Sequence, residues 1–402
     1  MTLDFYPHSP LPAYVDPWET LDADPRTAHL IDQPWRYFAH YLGARGYALC
    51  WRYYSRAEPE TPFRPHAFRL PVARDPFNPK SGEGFLNYLG GMEGDEDANR
   101  RGGIHQTTGW LTPAATLKMA YDAQDRICAL KALHSTRSAT ELSLLTFLNS
   151  PKLRTDPANH TIPLLDSGKP LATQEWSFAA MPYWPRSVQV CVMWEVDDYF
   201  ERLGQALEGL AFMHRHGIVH RDISPTNLLL NLHTPSAARD VYTPLARLRI
   251  KLAYIDFGCA ARYPADTDPM EWTGTGYVGT GEHVAPEVPR DRKSAKRYRV
   301  APVDVYALGS VFLSALNWEQ LHCATFGNPS SLPLAAHQLI VSLPSTQGYL
   351  ALLTRMTHPD PLQRPSAQFA LDTCRALRTG LPARVRWAPE GGYPPSLGDA
   401  QP

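Results

Sequence analysis

Apolar residues recur along the middle of this chain with two different periods. Between residues 110 and 133 they alternate in short runs, the signature of half-buried strands. From Ser138 to Leu148 the apolar Leu142, Leu145 and Leu148 predict a short helix. Phe200, Leu203, Leu207 and Leu210 recur at helical spacing, as do Val305, Leu308, Phe312 and Ala315. A strand-rich part followed by a helix-rich part predicts an α+β chain, with a small sheet ahead of a larger helical body. Upstream, Trp35 to Tyr54 reads as a helix, a break at Gly43 and Gly46, and a strand of aromatic and β-compatible residues. Residues 1–28 are rich in proline and acid. Residues 56–104 carry several prolines and the aperiodic run GGMEGDEDANRRGG, which predicts loop. These patterns divide the chain into a partly irregular N-terminal extension (1–104), a folded domain (105–378) and a Pro-rich tail (379–402) expected to be disordered. No internal repeat is present.

Composition narrows the picture. The 402 residues are 44% hydrophobic and 20% charged, enough to bury a substantial core. A formal net charge of −1 gives no global field toward nucleic acid or acidic lipid. Charge is concentrated locally, with Arg290, Arg292, Lys293, Lys296, Arg297 and Arg299 relieved only by Asp291. That run reads as a solvated loop in preference to a binding patch. The six cysteines form no CxxC pair, which argues against a zinc site or a disulfide framework and fits a reducing compartment. The fifteen histidines show no paired metal-ligand spacing. With no basic, apolar leader at the start and no apolar run long enough for a bilayer, the expectation is a soluble intracellular protein, cytoplasmic or nuclear, without membrane or nucleic-acid partners.

The chemistry concentrates in five short motifs. His220–Asn227 reads HRDISPTN. Phosphoryl transfer needs a carboxylate to orient the incoming hydroxyl and an oxygen ligand nearby for magnesium, and Asp222 and Asn227 sit on one tight loop at that spacing. Twenty-nine residues after Asn227 comes Asp256-Phe257-Gly258, then Gly279-Thr280 leading to Ala285-Pro286-Glu287, Asp304 in VDVYALG, and Arg364 in HPDPLQRPS. Each motif alone is weak, whereas five in order and at spacing are strong. On these residues about two-thirds of the chain resembles the eukaryotic protein kinase superfamily. The stretch Glu141–Asp166 and the GY-containing strand near Gly46 are similar, more narrowly, to divergent kinase-like proteins of mushroom-forming fungi.

The resemblance implies a two-lobed kinase-like fold, a small β-rich N-lobe and a larger helical C-lobe, with ATP in the cleft. Asp222, Lys131, Asn227 and Asp256 would be catalytic, with magnesium held by Asn227 and Asp256. Gly109, Ala129, Lys131, Glu141, Met181 and Asp256 would line the nucleotide site. Glu287 would pair with Arg364, Asp304 would brace the HRD backbone, and His220 would be structural. Met181 would limit the back of the nucleotide pocket, although it reads equally well as ordinary core.

Lys131 ends the apolar run ICALKAL, and Glu141 is the sole acidic residue between it and Asp156. An ion pair between them is favoured. Ser138-Ala-Thr-Glu141 also fits a capping box, in which Glu141 merely reaches back to the helix start. Two positions depart from the family. Counting back from Lys131 puts Gly109-Trp-Leu-Thr-Pro-Ala114 on the glycine-rich loop, where Leu111 and Ala114 replace glycines and Pro113 removes a backbone donor. Ser224 stands where Ser/Thr kinases place a lysine, and Thr226 where tyrosine kinases supply an arginine, so neither cation is present. Losing one such contact costs on the order of 2–4 kcal/mol in the transition state. Asn231 to Leu248 adds a loop where a short hairpin suffices, and Thr273, Thr275 and Tyr277 lie in the activation segment, where Arg221 could receive a phosphate. The expected function is ATP- and magnesium-dependent phosphorylation of Ser/Thr in a protein substrate, favoured because every catalytic side chain is retained. The alternative is a pseudokinase acting as a binding or scaffold module.

Overall fold

The computed structural model describes residues 35, 38–49, 73–74, 84–85, 116–123, 127–135, 138–169, 176–184, 186–187, 196–231, 251–325 and 344–381. The chain divides into two units. The first holds 1–151 with 162–185, and the second holds 152–161, 186–232 and 237–402.

The first unit is built on a sheet whose strands are Ala48–Leu49 (β1), Leu117–Tyr121 (β4), Ile127–His134 (β5), Asp166–Gly168 (β6) and Trp176–Pro182 (β7), in the order β1-β4-β5-β7-β6. A separate antiparallel pair joins Ala73–Arg74 (β2) to Gly84–Phe85 (β3). Alternation along β5 divides its side chains between two faces. Cys128, Leu130 and Ala132 join Ala120, Trp176, Phe178 and Ala180 in one core, closed by Trp35, Phe38 and Leu42 from the helix that runs through residues 38–44. Phe38 meets Phe178 edge-on at 4.7 Å. Arg45, just after that helix, donates from Nε to Asp166 on the far edge strand at 3.0 Å. Residues 35–49, which the sequence assigns to the extension, thus supply both a strand and a covering helix to this sheet. Gly43 and Gly46 sit where the sequence breaks the helix, and Gly46 turns the chain through a positive φ of 89°.

Ala129 pairs across the ladder with Met181 and Met119, and Lys131 with Ala179 and Leu117. Directly opposed residues share a face, so Ala129, Lys131 and Met181 all lie on the face turned away from the 38–44 helix. Helix Ala139–Leu148 buries Leu144, Leu145 and Leu148.

The second unit is mainly helical. Val196–Arg215 buries Phe200, Leu203, Leu207 and Leu210 on one face, and Val300–Thr325 buries Val305, Leu308, Phe312 and Ala315, as their spacing predicts. Pro344–Met356 packs Tyr349 edge-on against Phe200 at 4.9 Å. The last described helix, Ala367–Thr379, is tied back by Arg378, whose guanidinium bridges Asp197 at 2.6 and 2.8 Å. Short strands frame the loops between these helices: Arg186–Ser187 (β8), Leu228–Leu230 (β10) and Leu252–Tyr254 (β11) form one sheet. Ile218–Val219 (β9) pairs with Ala261–Arg262 (β12), and Thr273–Gly274 (β13) with Tyr298–Arg299 (β14). Among the described residues no helix is long and apolar enough to cross a membrane.

Candidate active site

The hairpin β10–β11 positions the two acidic motifs of the second unit. Leu228 pairs with Tyr254, and the Ile255 N–H donates to the Asn227 carbonyl at 3.1 Å. Asp256 therefore follows directly on a residue hydrogen-bonded to the HRDISPTN loop. Asn227 Nδ2 donates to the Asp222 carbonyl at 2.9 Å and to its carboxylate at 3.3 Å. With the amide nitrogen committed to Asp222, the Asn227 Oδ1 atom is the one presented away from it. The other Asp222 oxygen accepts from the Thr280 hydroxyl at 2.6 Å. The loop carrying Asp222 and the segment carrying Thr280 are thereby joined at the candidate base itself.

The backbone here is strained and braced. Arg221 holds a φ of 66° and Asp256 a φ of 60°, left-handed conformations that disfavour side chains. The Asp256 carboxylate accepts from the Gly258 N–H at 3.2 Å. Arg221 is held by Asp304, which has no solvent exposure. Asp304 Oδ1 accepts from the Arg221 N–H at 2.7 Å, while Oδ2 accepts from the His220 N–H at 2.8 Å and lies 3.1 Å from His214 Nε2. His220 Nε2 lies 2.9 Å from the Ile255 carbonyl, tying the HRD turn to the strand before Asp256. Those contacts agree with structural roles for His220 and Asp304. His214 was not singled out in the sequence. It lies in the last turn of its helix, and nothing in its local spacing marks it as the third partner of Asp304.

In the first unit, Lys131 Nζ donates to Glu141 Oε1 at 2.6 Å, and Glu141 is buried. Ser138 makes no side-chain capping bond, so the ion pair forms and the capping box does not. Met181 is buried near the end of β7, opposite Ala129. Gly109 and the rest of the altered glycine loop lie outside the described residues, as does nearly all of the Asn231–Leu248 insertion. Ser224 is buried, and its hydroxyl lies 2.9 Å from that of exposed Thr226. The two positions that could carry a cation therefore engage each other.

A family model for the protein kinase domain matches residues 190–374. Those residues form a protein kinase domain. The kinase domain is 31% identical over 173 residues to the serine/threonine-protein kinase CHK1 of Mycosarcoma maydis, an alignment covering 41% of this chain and 22% of that protein. It is 36% identical over 107 residues to the calcium/calmodulin-dependent protein kinase type II of Caenorhabditis elegans, covering 27% and 12%. It is 27% identical over 199 residues to the sporulation protein kinase mde3 of Schizosaccharomyces pombe, covering 48% and 33%. The chain spans a third or less of the length of these relatives.

The donors present suit the nucleotide and metal that kinase domains generally use. Asn227 and Asp256 offer hard oxygen atoms, the ligand type magnesium takes. Among the described residues no three His, Cys, Asp or Glu side chains gather into a metal cage. A cation here would rest on one amide, one carboxylate and ligand oxygens, which is how magnesium is held beside phosphates.

Proposed function

We propose that this kinase domain is catalytically active and transfers the γ-phosphoryl group of ATP to Ser or Thr hydroxyls of a protein substrate. The observation that carries this reading is the arrangement at Asp222. Its carboxylate is held by Asn227 on one oxygen and Thr280 on the other, on a loop whose strain Asp304 sustains. In this reading the substrate hydroxyl replaces Thr280 as donor to the Asp222 carboxylate, or shares that carboxylate with it, and Asp222 orients the hydroxyl oxygen for in-line attack and accepts its proton. Asn227 and Asp256 would hold magnesium, which when bound neutralises charge on the phosphates. Lys131, fixed by Glu141, would hold the phosphate oxygens. Gly109, Ala129 and Met181 would contact the nucleotide. No lysine at Ser224 or arginine at Thr226 supports the transferring group, so the expected chemistry is slow.

Radiolabelled transfer from ATP to a generic Ser/Thr substrate, with magnesium, tests this. Wild-type protein should label the substrate and Asp222→Asn should not, while both keep a thermal shift with ATP. Equal labelling by the two proteins would leave the scaffold reading in its place.

A further inference from the structure

The basic run Arg290–Arg299 is exposed, as its polarity predicts, but it is also structurally fixed. Asp291, its only anion, is turned inward on the run: its carboxylate accepts from the Lys293 N–H at 2.9 Å, and its carbonyl from the Ser294 N–H at 3.1 Å. The Ser294 carbonyl accepts in turn from the Gly276 N–H at 3.0 Å, and Tyr298–Arg299 pairs with Thr273–Gly274. Arg299 directs its Nε to the Met270 carbonyl at 2.9 Å. The remaining five cations, Arg290, Arg292, Lys293, Lys296 and Arg297, are exposed, and none forms an ion pair with a carboxylate among the described residues. Among the described residues these five positive charges have no ion-pair partner, and they stand together on one ordered turn of a chain whose net charge is −1.

Their position relates them to the candidate base. Gly276 adopts a φ of 72°, and a Cβ there would come within 2.5 Å of the Arg292 carbonyl, so the two backbones are pressed together. Thr280, four residues further on, donates to Asp222. Four extended residues span at most about 14 Å, so the basic turn lies within a few peptide residues of Asp222.

We propose that this turn selects the acceptor: it reads Asp and Glu residues within about four positions of the Ser or Thr presented to Asp222. The inference rests on the phosphoryl-transfer reading and names the substrate class for that site. An extended peptide engaging Asp222 brings its flanking carboxylates beside a preformed positive field, at little ordering cost to the turn. An extended nucleic acid fits less well. The only aromatic residue of the run, Tyr298, is buried, so the turn offers no stacking surface, and the chain as a whole is not cationic.

The test uses the full chain and fluorescent peptides that share one Ser and differ only in acidic or amide flanks. Wild-type protein should bind the acidic peptide at least about tenfold more tightly than the neutral one, and the preference should shrink with salt. The combined variant Arg292→Gln, Lys293→Gln, Lys296→Gln and Arg297→Gln alters exposed side chains only. It should keep its melting temperature and its kcat on the neutral peptide, but lose the preference through KM. Equal binding of the two peptides, an undiminished preference in the variant, or tighter binding of RNA or phosphatidylserine vesicles than of the acidic peptide would each overturn the assignment. Selective binding without labelling of either peptide would remove the transfer reading and leave the docking surface standing.

Discussion

Arg364 satisfies all five of its guanidinium N–H groups, and two of them grip the Glu287 carboxylate in parallel at 2.7 and 2.8 Å. The others reach the carbonyls of His358, Pro302 and Pro359, and the ring of Tyr306 lies 4.8 Å from the guanidinium carbon. The pair fastens the end of the activation segment to the loop before the last helix. Because the Arg364 side chain is fully buried, removing one partner strands the other. Arg364→Ala should lower the unfolding free energy by roughly 3–5 kcal/mol, read from urea denaturation. Arg364→Lys should recover little of it, since a lysine cannot reproduce the bidentate fork.

Asp304 holds a strained residue in place, so its substitution should separate stability from chemistry. Asp304→Asn keeps the volume but replaces one acceptor oxygen with a donor that faces backbone N–H groups. The unfolding free energy should fall by about 1–3 kcal/mol. Release of Arg221 from its left-handed conformation should move Asp222, lowering kcat roughly a hundredfold with little change in the KM for ATP.

Thr226 is exposed whereas Ser224 is buried, so a missing cation is more readily restored at 226. Thr226→Arg should raise the turnover number roughly tenfold or more without loss of melting temperature. An unchanged rate would mean that charge at this position does not limit the reaction.

His283 introduces a pH dependence. Burial holds its imidazole below the usual histidine range, against the partial upward pull of Glu282 and Asp222. Its Nδ1 lies 3.0 Å from the Ser310 hydroxyl. The unfolded chain takes up a proton on this histidine near pH 6.5 while the folded chain resists it, so acid favours unfolding. Stability should be full above about pH 6.5 and decline below it, down to the folded value. His283→Gln should flatten that decline in urea midpoints measured between neutral and mildly acidic pH.

Cys374 should be inert in the folded protein. Burial pushes its thiol up to about 12, and its Sγ is directed at the Phe200 carbonyl. Iodoacetamide at neutral pH should modify it only after denaturant is added.

The parts legible in the sequence are those whose geometry is local. Asp222 and Asn227 are five residues apart on one loop, so their spacing alone brings them together. Helical periodicity likewise reported the buried faces around Phe200 and Val305, because a helix turns spacing directly into a face. Glu141 was ambiguous because a capping box and an ion pair call for the same residue, and only the position of Lys131 on the facing strand separates them. The partnership of His214 with Asp304 joins residues ninety apart, and the docking of Trp35 and Phe38 onto Phe178 spans still more chain. Neither leaves a local period. The basic turn shows the same limit: its charge was plain in the sequence, but its attachment to Gly276 was not.

The antiparallel pairing of Leu49 with Ala120 has an entropic corollary. The chain leaves the sheet at β1 and returns beside it at β4, so the sixty-seven residues numbered 50–116 begin and end at neighbouring points. Doubling the length of a flexible closed loop adds only about 0.6 kcal/mol of closure entropy. The register of β1 against β4 is therefore set by the two strands themselves and costs little more to close however much chain runs between them.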